Sequence, residues 1–393
     1  MRWLVESWRA AHQARARGVD VRAVTCWALF GSANWDSLVT RHTGQYEPGA
    51  FDVRAPVPRP TALASIVATL AAGGEPRHPA LTGIPWWQRP DRLIHGTAPR
   101  SRSSSVDGPP LLIIGATGTL GSALQRVAQA RGLTSRLVRR QEVDITDPTA
   151  VDAILRRCKP WAVINAAGYV RVDDAEQEPE ACRRANVAGP MSLAGACRRR
   201  GIRLVTFSSD LVFDGVKGRP YIEADRPRPL NIYGQTKAEA ERRVLDVLPD
   251  ALVVRTSAFF GPWDEHNVLA RLFRALDDGR PFRAPFDHTV SPTYVPDLAH
   301  ASLDLLIDGE DGIWHLANDG ALTWFEFAVL AAARSGRRVD LVVPSQSAGA
   351  GRAVRPRYSV LSSGRGRLLR PLGDAVDDFV RQAEAAVRRA GTG

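Results

Sequence analysis

The stretch "PLLIIGATGTLGSALQRVAQARG" constrains this chain more than any other part of it. A short apolar run leads into three glycines, Gly115, Gly118 and Gly121, and then into an amphipathic pattern of helical period. Strand, glycine turn and helix in that order form the opening of a βαβ unit whose turn cradles a pyrophosphate. The first glycine permits the tight turn, the second lets the backbone approach the phosphates, and the third lets the helix pack closely on the strand. The helix start adds unpaired N–H groups and a positive dipole end. Thr117, Thr119 and Leu120 complete the expected nucleotide loop.

The alternation continues. An apolar run around "RLVRR" precedes a helix near residues 147–157, the strand "WAVINAAG", a helix through residues 178–199, the strand "IRLVTFSSD", a helix from Gln235 and the strand "ALVVRTSAFF". Strands and helices at this spacing predict an α/β fold, a Rossmann-type doubly wound parallel sheet with helices on both faces. After residue 258 the pattern turns irregular and rich in Pro and aromatics, which predicts a small C-terminal substrate domain over the carboxyl edge of the sheet. At the end of the second strand the chain reads "RLVRRQEVD", with Arg139 and Arg140 where an NAD site carries an acidic residue for the ribose. Two guanidinium groups there suit a 2′-phosphate, so NADPH is favoured and NADH stays open.

Of the 52 basic residues only three are lysines, and one of them, Lys237, lies in "NIYGQTKAEAERRVL". Tyr233 and Lys237 are four apart, one helical turn on the same face. Arginine would serve on a solvated face, so a compact ammonium there points to a charge placed beside the phenol.

Elsewhere the sequence excludes more than it assigns. The net charge of +10 comes from arginines scattered among acidic residues with no interleaved aromatic stripe, so no nucleic acid is expected as a partner. No segment approaches the roughly 20 apolar residues of a membrane span, so no membrane association and a cytoplasmic location are expected. Cys26, Cys158, Cys182 and Cys197 show no paired spacing and read as buried reduced thiols, and no metal site is expected. The stretch "HGTAPRSRSSSVDGPP" reads as a flexible linker over 95–110, separating residues 1–94 from a second unit at 111–385.

Residues 111–385 resemble the extended short-chain dehydrogenase/reductase superfamily and, within it, the dTDP-4-dehydrorhamnose reductases. The resemblance rests on the ordered strings "GATGTLG", "VDITDP", "VINAAGYVRVDDAEQEPE", "FSSDLVFDG", "PLNIYGQTKAEAE", "VVRTSAFFG", "SPTYVPDLA", "GIWHLANDGALTWFEFA" and "VRPRYSVL". It implies reduction of the 4-keto group of a nucleotide-activated deoxysugar by NADPH, dTDP-4-dehydrorhamnose to dTDP-L-rhamnose, with Ser209, Tyr233 and Lys237 as catalytic residues. Lys237 would lower the phenol pKa of Tyr233 and hold the nicotinamide ribose, while Ser209 would bind the carbonyl oxygen. The same resemblance sets Asp144 and Ile145 near the adenine, Ala166, Ala167 and Gly168 along the nucleotide, and Asn186 as an active-site support. Its partner is the nucleotide-sugar substrate, with a homodimer left open. The chain departs from the family pattern at Leu211, where an aromatic hydroxyl is usual, at Ala258, where a large ring is usual, and at Val170, where a polar residue is usual. A non-catalytic NADP-binding regulatory subunit and another sugar-nucleotide ketoreductase or epimerase remain as alternatives.

Residues 1–87 resemble the C-terminal end of a family 1 glycosidase barrel, through "GVDVRAVTCWALFGSANWDSL" as strand and loop and "RPTALASIVATLAAG" as helix. One strand cannot close an eight-stranded barrel, Asn34 stands where that family has a sugar-contacting glutamate, and neither catalytic carboxylate is encoded. The expectation is an incomplete (β/α)-barrel fragment with too few partners for its apolar faces.

Overall fold

The computed structural model of the protein describes residues 1–41, 44–83, 85–88, 108–264, 267–347 and 352–390. The linker expected at 95–110 lies, up to Asp107, outside the described residues. Its centre is a six-stranded sheet of β1 (Leu111–Ile114), β2 (Ser135–Val138), β3 (Ala162–Asn165), β4 (Arg203–Ser209), β5 (Leu252–Thr256) and β7 (Gly312–His315). The spatial order is β7-β5-β4-β3-β1-β2 and every pairing is parallel. Strand order reverses between β1 and β3, which opens a crevice at their carboxyl ends where such folds bind ligands.

The apolar strand runs bury both faces, as a parallel sheet requires. On one face Leu111 and Ile113 pack against α3 (Thr119–Ala130) and α8 (Val295–Asp308). On the other, Leu112 and Ile114 pack against α4 (Pro148–Cys158), α5 (Gly189–Arg200) and α6 (Ile232–Val247). The helix anticipated through 178–199 is interrupted, because five residues, Arg184–Ala188, form a π-helical turn between Pro179–Arg183 and α5. Such a turn widens the helix and re-aims one side chain, here Asn186, inward.

After β5 the chain builds a second core from α7 (Val268–Asp277), α9 (Trp324–Arg334) and α10 (Leu372–Ala390), with Phe260, Phe273, Tyr294, Phe327 and Phe379 at its centre. Two parallel strands, β6 (Phe282–Pro285) and β8 (Val342–Ser345), complete it. This is the small domain expected over the sheet edge.

The first 88 residues differ from the barrel expectation. Helices form at α1 (Arg2–Ala16) and α2 (Ala62–Ala71), but residues 19–26, expected as a barrel strand, carry no strand, and the strands among the described residues up to 88 are two residues long. A strand needs a neighbour to take its N–H and C=O groups, and none pairs with this segment among the described residues. The apolar faces find partners in part: Trp27, Leu29, Phe30, Leu38 and Val39 stay exposed, as expected, while others are covered. Val5, Ile66 and Leu70 close on one another with Trp8 and Leu81, and Ala80 joins the core beneath α3 and α8. Arg59 is buried and pairs with Asp308 at 2.7 Å, Glu310 at 3.3 Å and Asp52 at 3.2 Å. Arg2 donates to the Arg131 and Gly132 carbonyls, and His78 meets the Ile307 carbonyl at 2.9 Å. No helix among the described residues is long and apolar enough to cross a membrane.

Candidate active site at the carboxyl edge of the sheet

Gly115 closes β1 with φ +116°, a conformation that favours glycine, and a Cβ there would lie 2.8 Å from the Ala166 carbonyl carbon. A Cβ on Gly121 would fall 2.1 Å from the Gly115 oxygen, so the helix can approach the turn this closely only without a side chain. Gly118 is different, since a Cβ there meets nothing nearer than 3.7 Å. It faces open space at the start of α3, where no side chain caps the helix N–H groups. A pyrophosphate would fit this donor-rich turn. Thr117 is exposed on the same loop, and the Thr119 hydroxyl donates to Asp264 at 2.9 Å.

The other expected nucleotide residues divide by burial. Arg139 and Arg140 follow β2 directly and are exposed. Arg140 reaches Asp144 at 3.3 Å, whose carboxylate also accepts from the Thr146 N–H and hydroxyl, and those bonds hold its pKa below the ordinary carboxylate range. Leu120 and Ile145 are core residues, so their side chains serve packing and only their backbone can face a ligand. Ala166, Ala167 and Gly168 form the turn after β3. Asn186 is buried beneath it: its Oδ1 accepts from Tyr169 N at 2.8 Å and its Nδ2 donates to the Tyr169 carbonyl and the Thr236 hydroxyl at 3.2 Å each. It is a brace for that turn, reached through the π-helical widening.

The structure brings Ser209, Tyr233 and Lys237 together from two elements. Ser209 ends β4. Helix α6 starts at Ile232, three residues before the expected Gln235, because the Asn231 side chain accepts from Gly234 N at 2.7 Å and caps it. Tyr233 therefore sits in the first turn, and Lys237 one turn on, its Nζ 5.7 Å from the Tyr233 ring centre and donating to the Phe207 carbonyl at 3.2 Å. Burial lowers the Lys237 pKa to about 8. Tyr233 moves opposite to the sequence expectation. Burial raises its pKa, the charge of Asp210 raises it further, and the Ser209 hydroxyl pulls the other way. Desolvation of the phenolate is the largest of these effects.

Ser209 and Tyr233 open onto a cavity of about 820 Å3 between the sheet edge and the small domain. Val170, Leu211 and Ala258, the three departures noted in the sequence, all line it. Ser208 and Thr256 line it too, their hydroxyls turned into the protein and without a hydrogen-bond partner among the described residues. Sequence reasoning missed Asp210, His288, Trp324, Arg352 and Arg355, also on its wall. Asp210 adjoins Ser209 and Arg355 lies in the string "VRPRYSVL", but His288, Trp324 and Arg352 carry no local signal and come from segments far apart in sequence.

Comparison with known proteins follows this geometry. The profile of the RmlD substrate binding domain matches residues 110–376. The chain is 37% identical over 255 residues to a dTDP-4-keto-6-deoxy-D-glucose reductase of Streptomyces niveus, covering 64% of this chain and 87% of that one. It is 36% identical over 283 residues to a dTDP-4-dehydrorhamnose reductase of Mycolicibacterium smegmatis, covering 71% and 85%. Among solved structures, a dTDP-4-dehydrorhamnose reductase of Bacillus anthracis in complex with NADP superposes with a TM-score of 0.66 at 29% identity, over 70% of this chain and 99% of that one.

Proposed function

Because the chain belongs to the dTDP-4-dehydrorhamnose reductase family, we propose that it reduces the 4-keto group of a nucleotide-activated deoxysugar with NADPH, converting dTDP-4-dehydrorhamnose to dTDP-L-rhamnose. One observation carries the reading for this chain: Ser209, Tyr233 and Lys237 converge at the carboxyl end of β4, with the first two opening onto a cavity large enough for a sugar nucleotide. NADPH, when bound, supplies the hydride. The rest is done by side chains. Tyr233 gives its phenol proton to the carbonyl oxygen, and its raised pKa keeps that proton in place until charge develops on the oxygen. Ser209 hydrogen-bonds the same oxygen and stabilises the charge it gains. Lys237, held by the Phe207 carbonyl, presents an ammonium toward the ribose hydroxyls and so orients the nucleotide. Arg139 and Arg140 meet the 2′-phosphate.

The proposal includes a cytoplasmic location, a nucleotide sugar as the partner, and residues 111–385 as the catalytic unit with 1–94 flanking it. The test is NADPH oxidation followed with a panel of nucleotide 4-keto sugars. Turnover of dTDP-4-dehydrorhamnose above the other sugars is expected. Preference for a different 4-keto sugar would reassign the substrate, and no oxidation with any would leave a binding protein.

A further inference from the structure

Asp210 follows Ser209 and is buried at the cavity wall with no ion-pair partner among the described residues. Three hydroxyls converge on it. Ser209 Oγ donates to Oδ1 at 3.0 Å, while Ser257 and Ser359 donate to Oδ2 at 2.9 Å and 2.6 Å. Ser209 Oγ also accepts from Leu211 N at 3.1 Å. A serine hydroxyl has one proton to donate. While Ser209 donates to Asp210 it has no proton for a carbonyl oxygen.

We propose that Asp210 is a positioning residue acting through Ser209: while its carboxyl is charged it holds the Ser209 proton, and when the carboxyl is protonated Ser209 turns that donor to the substrate oxygen. The inference rests on the reading of Ser209 as the hydroxyl that binds the carbonyl. Where the carboxyl proton sits follows from the donor count. Oδ2 already receives two O–H groups, so a proton on Asp210 belongs on Oδ1, where it can donate to Ser209 Oγ and release that hydroxyl's own hydrogen. Burial also pushes the Asp210 pKa up, since its three partners are neutral donors. A neutral Asp210 further removes one charge that opposes ionisation of Tyr233. The other titratable and charged groups facing this site are Tyr233 and Lys237 on α6, Asp287 and His288 on the cavity wall, and Arg352 and Arg355 on the segment leading to Ser359.

The experiment measures single-turnover reduction of dTDP-4-dehydrorhamnose by NADPH against pH for the full chain and for Asp210→Asn, Ser359→Ala and Ser209→Ala. In the unaltered protein the rate should fall about ten-fold per pH unit beyond the titration of Asp210. Asp210→Asn should lose that limb, because an amide N–H facing Ser209 stands in for the protonated acid. Ser359→Ala should move the limb to higher pH, since removing a donor disfavours the carboxylate. A fall due to Lys237 should persist in both. If Asp210→Asn does not fold, the Ser359→Ala shift decides alone. Superimposable profiles for these variants and the unaltered protein would overturn the inference while leaving Ser209 in place, provided Ser209→Ala is roughly 100-fold slower. Ser209→Ala at full rate would instead remove the hydroxyl on which both readings depend.

Discussion

Arg255 and Glu241 form a two-pronged ion pair inside the protein, Nε to Oε1 at 2.8 Å and Nη2 to Oε2 at 2.6 Å, with 1% and 4% of the two side chains exposed. The pair ties β5 to α6, the helix that carries Tyr233 and Lys237. It thereby fixes the catalytic helix from behind, and Arg255 also lies 5.1 Å from the Phe213 ring centre.

Glu241→Ala should therefore be strongly destabilising. Removing one partner strands a buried charge, which typically costs about 3–5 kcal/mol. Denaturant unfolding checks this; a loss under about 1 kcal/mol, the range of exposed pairs, would show that water or another group replaces the carboxylate.

Tyr233→Phe removes the proton donor and leaves the ring. Turnover should drop by about 100- to 10,000-fold with NADPH affinity nearly intact. Near-normal single-turnover rates would assign the proton to another group.

The sheet and its glycine turn were legible because they are local: apolar runs of strand length, glycines at fixed spacing, and a tyrosine and lysine one turn apart. What stayed hidden is what long-range contact creates. The Asp210 cluster joins serines 47 and 149 residues away. Arg59 meets Asp308 across 249 residues. Neither looks unlike a surface charge in sequence. The direction of the Tyr233 pKa shift stayed hidden for a related reason: spacing reveals the neighbouring lysine but not the desolvation and the Asp210 charge that raise it.

The Arg139→Ala, Arg140→Ala double variant should weaken NADPH by roughly ten-fold or more and NADH far less, since charge-assisted bonds are worth about 1.5–3 kcal/mol each. Arg140 is shared with Asp144, so Arg139→Ala alone should carry the larger part. Calorimetric titration with both nucleotides measures it, and equal losses would discard the 2′-phosphate assignment.

The Lys237 pKa of about 8 fixes a pH direction. The ammonium is charged below that value and neutral above it, so NADPH affinity should decline as pH rises through it. The gap between a charged and a neutral hydrogen bond is about 1 kcal/mol, or roughly five-fold. Lys237→Met should bind weakly at every pH and lose the step; a step that survives in the variant belongs to another group.

The last prediction concerns residues 1–88. Read from sequence they lack partners, and a chain beginning near Pro109 is expected to behave like the full one. In the structure Asp308 is held by Arg59 and by the Ala62 N–H at 2.8 Å, and burial raises its pKa to about 6 even with Arg59 pulling it down. Arg54 adds a bond to the Leu368 carbonyl at 2.6 Å. Arg59→Ala leaves Asp308 and Asp52 in poor surroundings and should cost about 3 kcal/mol or more, seen as a lower melting temperature. The shortened chain uncovers α8 and should melt lower still. Among the described residues the cavity wall has none before Val170, so reduction per folded molecule should be unchanged in Arg59→Ala. Equal melting of the full chain, the variant and the shortened chain would show that the contacts of the first 88 residues contribute nothing to the reductase.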